Sequence, residues 1–164
     1  MSETHTAPST NIEIGLAIPV SERVQIQNVL MVESRLKRAP DHQFDDSGNA
    51  LRIKTEPLGV EKHDDSISVR ISFLVSSVRN GEDESDPALL IEATFVLVYS
   101  ITSLEGIEDA NLNAFAAVNG VYNAWPYWRE YLQNTSLRMG LSPIIAPVFR
   151  LSGAPARAPG DTDG

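Results

Sequence analysis

The side chains best suited to proton transfer or metal binding near neutral pH are the three histidines, His5, His42 and His63. No two of them stand at the spacing that brings imidazoles to one helix face around a metal. His5 lies in a short polar start and the other two in loop-like stretches, where solvated histidines are expected. Carboxylates occur in groups at Asp45-Asp46, Asp64-Asp65 and Glu82–Glu84. These groups fall in turn-forming sequence, where solvation accounts for them, and the ligand spacing of an EF-hand calcium loop is absent. There is no glycine-rich phosphate loop and no GxSxG nucleophile elbow. The chain has no cysteine, which excludes disulfides and thiolate metal sites. The expectation is a protein with no catalytic residues, no metal and no cofactor, and so not an enzyme.

What remains is apolar and aromatic. Tyr122, Trp125, Tyr127, Trp128 and Tyr131 crowd into one short stretch. The plainer reading is the core of a helical hairpin. The functional reading is part of a greasy surface that accepts peptide.

The elements that would position these residues are strands first and helices last, an order that favours α+β over a parallel α/β sheet. Val24–Leu36 reads as a first strand. Its apolar parity changes between Val24/Ile26 and Val29/Met31, which a bulge near Asn28 explains, because one extra residue swaps the faces. Pro40–Asn49 reads as a loop. Leu51–Thr55 is a short strand interrupted by Pro57 and Gly59, with a turn at 61–65. In Ile67–Val78, Ile67, Val69, Ile71, Phe73 and Val75 face one way, and Ser68, Arg70, Ser72 and Ser76 the other, with Leu74 as the exception. Asn80-Gly81 marks the turn of an acidic hairpin loop.

Ala88–Ile101 is the most apolar stretch. Ile91, Ala93, Phe95, Leu97 and Tyr99 form one face, and Leu90, Glu92, Thr94, Val96, Val98 and Ser100 the other. A strand apolar on both faces is covered on both, and in so small a chain the second cover is expected from another subunit. Asn111–Ala124 reads as a first helix made thin by Ala114, Ala116, Ala117 and Gly120, with no charge between Asp109 and Arg129. A surface helix carries a charged face, so this one is expected to be enclosed by the sheet and by a partner. Trp125-Pro126 divides it from a second helix, Pro126–Met139, which Gly140 stops. The following LSPIIAPVFRL is extended, and is expected to lie along a groove rather than join the sheet.

The bulk numbers set the classes. With 164 residues, the chain suits one domain, expected over 12–151 between an unstructured start, 1–11, and an unstructured tail, 152–164. A net charge of −9 argues against nucleic acid and against anionic membrane surfaces. The N-terminus lacks the basic and apolar regions of a secretory signal, and no apolar run approaches the ~20 residues that span a bilayer. The expected location is cytoplasmic, with no membrane insertion.

NAFAAVNGVYNAWPYWREYLQNTSLRMGLSPIIAPV resembles the C-terminal half of the SecB export chaperones. Trp125, Pro126, Tyr127, Arg129 and Glu130 stand in the family's aromatic–Pro–Tyr–x–Arg–Glu junction. Tyr99-Ser100-Ile101 followed by Leu104-Glu105-Gly106 is similar to its strand end and turn, and Gln25-Ile26-Gln27 to its first strand. The resemblance covers roughly Val24 to Leu151. It implies a SecB-like four-stranded antiparallel sheet followed by two helices, and dimers that pair into a homotetramer with the first helices packed between the sheets. Ile91, Ala93, Phe95, Ala114, Ala117 and Gly120 are the expected interface residues. It implies an ATP-independent holdase for unfolded or pre-secretory polypeptides, with Leu51, Ile53, Val148 and Phe149 where the family lines its client grooves. It also implies delivery to SecA across an acidic sheet face, which Glu33, Leu90 and Glu92 match in part. Lys37 and Arg38, however, fall where the family has a further acidic residue. SecB-like chaperones also serve toxin–antitoxin pairs, with the antitoxin as client. An assembly protein on the same scaffold, with filled grooves, is the other reading.

Overall fold

The computed structural model describes residues 10–41, 51–78 and 85–149. The 1–9 start, the loop at 42–50, the Asn80-Gly81 turn, the 152–164 tail, His5 and His42 lie outside the described residues.

Strict alternation builds the middle of the sheet. In β3 (Ser66–Ser77) and β4 (Leu89–Ile101), Ile67, Val69, Ile71, Phe73, Val75, Ile91, Ala93 and Leu97 are all fully buried. β3 and β4 pair antiparallel with Phe73 opposite Ala93 and Ile71 opposite Phe95, so the apolar rows coincide on one face. β1 (Val24–Arg38) pairs with the other side of β4, and β2 (Leu51–Lys62) with the other side of β3. The sheet order is β1-β4-β3-β2, antiparallel throughout, with β1 and β2 as edges.

Both edge strands are irregular. β1 shifts register between Ile26 and Asn28, where the parity change places a bulge, and again between Met31 and Glu33. β2 does not end at Thr55. It continues to Lys62 through a bulge between Pro57 and Gly59, Gly59 taking a φ of 143°. Proline is tolerated because an edge strand leaves alternate N–H groups without a ladder partner, and the bulge absorbs the left-handed glycine.

Two helical segments follow the sheet, but Pro126 does not divide them. α2 (Asp109–Phe115) runs through a π-helical turn, Ala116–Gly120, directly into α3 (Val121–Arg138). Pro126 removes the N–H that would bond to the carbonyl of Tyr122. Both residues are exposed, so water can serve that carbonyl and the helix continues. Asn111 Oδ1 accepts from the Glu108 N–H at 2.9 Å at the start of α2. α3 ends in a Schellman motif. Gly140, at φ 71°, donates to Leu137 O, and Leu141 N donates to Ser136 O.

A further helix, α1 (Thr10–Ser21), precedes the sheet and begins inside the stretch expected to be unstructured. It lies against α2 and the π turn, with Ala17 and Val20 buried. Asn111 Nδ2 donates to Leu16 O at 3.0 Å, and Ser21 Oγ to Asn119 Oδ1 at 3.2 Å. The chargeless first half of the long helix is thus enclosed by the chain's own sheet and its own α1.

The helices cover one sheet face only. Phe73 stacks on Trp128 with centroids 5.4 Å apart and meets Trp125 edge-on at 5.7 Å, while Tyr99 meets Phe115 edge-on at 5.1 Å. Among the described residues no helix packs on the other face, where Leu90, Glu92, Val96, Val98 and Ser100 are half-buried. The result is an α+β fold.

Candidate functional site

The site begins at the end of α3. Proline at 143 and 147 forbids both helix and regular ladder, so residues 141–149 run extended. The segment turns back along α3 and is held by side chains on one helix face. Ser136 Oγ accepts from Ile144 N at 3.0 Å, Arg129 Nε donates to Ala146 O at 3.0 Å, and Trp125 Nε1 donates to Pro147 O at 2.8 Å. Ser136 and Ala146 are fully buried. The sequence placed this segment in a groove off the sheet, and that is where it lies.

At its end Phe149 packs on Trp125 at 5.4 Å and on Tyr122 at 6.4 Å. A groove of about 280 Å³ opens there, lined by Tyr122, Asn123, Trp125, Pro126, Arg129, Val148 and Phe149. Asn123 also donates to the Tyr99 hydroxyl at 3.0 Å. Burial pushes the Tyr99 pKa up to about 12, against a smaller opposing effect of that hydrogen bond. Val148 is 65% exposed and Tyr122 54%, so the rim is apolar and open to solvent.

Of the four residues expected in a client groove, the structure brings Val148 and Phe149 together. Leu51 and Ile53 lie on edge strand β2, on the helix-bearing face, and do not line this groove. Ile53 pairs with Val75, one inward position along from the Thr55–Phe73 pair on which Trp125 and Trp128 pack. Both side chains are nearly half exposed, and β2 adds Leu58 at 49%. The aromatic stretch divides in two: Trp125 and Trp128 are core, and Tyr122 and Tyr127 are surface. Arg129 was missed as a groove residue. Its spacing of four from Trp125 and seven from Ser136 puts all three on one face, a signal present in the sequence.

Glu33, Leu90 and Glu92 share the uncovered face of the sheet, opposite Thr94, Lys37 and Arg35 respectively. That neighbourhood is not acidic. Glu92 is ion-paired with Arg35, and Lys37 with Asp86.

Of the residues expected at a subunit interface, five are buried within the chain itself. Ile91, Ala93 and Phe95 are buried in the protomer's own core, and Ala114 is 6% exposed. A Cβ on Gly120 would meet Val69 Cγ1 at 2.9 Å and Ile71 Cδ1 at 3.1 Å. These five residues therefore pack within one chain, while Ala117 is half-buried. The exposed apolar surface is elsewhere: Ile26, Met31 and Leu36 on β1, paired opposite Tyr99, Phe95 and Ile91, lie on the helix-bearing face.

The fold is similar to that of a solved SecB-like chaperone. The SecB-like chaperone Rv1957 of Mycobacterium tuberculosis, solved with a ChAD peptide from the Rv1956 HigA1 antitoxin, superposes with a TM-score of 0.69. The match covers 86% of this chain and 98% of that one, at 18% identity, so it establishes the fold. A protein of unknown function from Streptococcus agalactiae matches at a TM-score of 0.34 and 5% identity, over 76% of this chain and 96% of that one, too distant to carry an argument. No family model matches the sequence, and no curated protein matches it. No helix among the described residues is long and apolar enough to cross a membrane.

Proposed function

We propose that this protein is an ATP-independent holdase that binds extended apolar segments of unfolded polypeptides and performs no chemistry of its own. The observation that carries this reading is exposed apolar surface in two places: the groove that Tyr122 lines beside the end of the 141–149 strap, and Leu51 and Ile53 on edge strand β2. Non-native chains offer scattered apolar side chains, and a shallow apolar surface held on a rigid sheet and helix binds them without needing a defined sequence. The likeness in fold to a protein solved with a bound peptide supports the same reading.

Self-association is part of the proposal, through β1. Its outer edge leaves a row of backbone groups without a ladder partner, and Ile26, Met31 and Leu36 are each more than two-fifths exposed. Edge pairing of two copies would extend the sheet and cover these side chains, and pairing of such dimers gives the tetramer. A cytoplasmic location belongs to the same reading. Delivery to SecA has weaker support, because Arg35 and Lys37 offset the acidic character around Leu90 and Glu92. The second reading is a dedicated client such as an antitoxin, favoured by the peptide in the Mycobacterium structure.

Size-exclusion chromatography with light scattering tests the proposal, with and without a reduced, permanently unfolded polypeptide. A self-associated species that co-elutes with the unfolded chain, without nucleotide, is expected. A protein that ignores the unfolded chain refutes the holdase.

A further inference from the structure

We propose that Leu141–Phe149 is a resident occupant of a peptide site on α3, and that an extended apolar segment of an unfolded polypeptide binds by displacing it. This rests on the holdase reading and adds the regulation of its groove. The strap is held much as a bound peptide would be. Its contacts with the helix use Ser136, Arg129 and Trp125, spaced along one helix face, against backbone atoms of Ile144, Ala146 and Pro147. Side chain-to-backbone hydrogen bonds do not depend on the sequence of the segment they hold, so the same two donors and one acceptor serve any extended chain. Ile144, Ala146 and Phe149 turn inward, while Ile145 and Val148 are each more than three-fifths exposed. A segment with no ladder of its own, held by a few such bonds, opens at far lower cost than the sheet beneath it.

Displacement predicts a reciprocal effect: weakening the strap tightens client binding. Ala146→Leu overfills a fully buried position, and the strap yields before the core does, leaving the helix donors intact. Titrated into labelled, reduced and carboxymethylated α-lactalbumin, the full-length variant is expected to bind roughly 3- to 10-fold tighter than the native chain, the scale of one or two lost anchors. Hydrogen exchange on the unaltered protein gives an independent reading that no folding defect can confuse. The amides of Leu141 and Ile144 should lose protection when the polypeptide is added, and those of β3 and β4 should not. Unchanged or weaker binding by the variant, or unchanged exchange at both amides while the native chain binds, overturns displacement and leaves the holdase standing. Binding by the variant alone supports displacement, with a strap that closes the site. If neither protein binds, both proposals fall.

Discussion

The centre and the edges of this sheet are built from similar residues and end in opposite states. Ile67, Val69, Ile71, Phe73 and Val75 of β3 are fully buried, while Leu51 and Ile53 of β2, on the same face, are 44% and 46% exposed. Ile26, Met31 and Leu36 of β1 mirror them at the other edge. Alternation alone decides which way a side chain points, but a helix overhead decides whether it is covered. The long helix lies over β2 at its start, and over β3 and β4 at its end. Among the described residues, apolar surface is therefore left over at the two rims.

This comparison can be broken most forcefully at Phe73, which touches Phe95, Trp125 and Trp128. Phe73→Ala should cost about 3–5 kcal/mol in urea unfolding, by cavity formation where the core cannot collapse. The next effect is alkaline. Tyr99 titrates near 12 when folded and near 10 when unfolded, so the unfolded chain loses this proton first. Its contribution is intact below pH 10 and is lost as pH rises towards 12, by roughly 2–3 kcal/mol in all. Tyr99→Phe should remove that part of the alkaline slope, as a comparison of the two unfolding free energies across pH 9–12 would show.

Gly120→Leu should cost about 1–3 kcal/mol, because its Cβ strikes Val69 and Ile71 of the same chain. The drop should appear in thermal melts and be independent of protein concentration. A concentration-dependent loss would place this glycine at a subunit contact after all. The smallest effect belongs to the uncovered face. Arg35→Ala breaks the exposed pair with Glu92 and should change stability by less than about 1 kcal/mol.

Much of the sheet could be read from the sequence because its signals are local. The alternation of β3, the parity change at Asn28 and the stop at Gly140 each depend on a few neighbouring residues. What was not legible depends on placement. α1 contains Gly15 and Pro19, lacks a one-sided apolar stripe, and acquires its role from covering α2. Pro57 and Gly59 read locally as the end of β2, yet an edge position and a bulge carry the strand past them. No residue pattern marked the π turn. The chargeless helix correctly announced enclosure, but the sequence could not say that α1 would supply it. The resemblance put Val148 and Phe149 at a client groove, and in the structure they line a groove; the bonds from Trp125 and Arg129 that hold the strap arise only once the chain has folded back.

The most direct test of the central claim is fluorescence anisotropy of a labelled unfolded polypeptide, titrated without nucleotide against the native chain, Ile53→Glu and Tyr122→Glu. Both positions are substantially exposed, so the variants should melt within about 0.5 kcal/mol of the native protein. The account predicts that the native chain binds the unfolded polypeptide and not its folded form, and that each charge weakens binding roughly tenfold or more, the scale of one lost apolar anchor. No binding by the native chain, or equal binding by all three proteins, would contradict it.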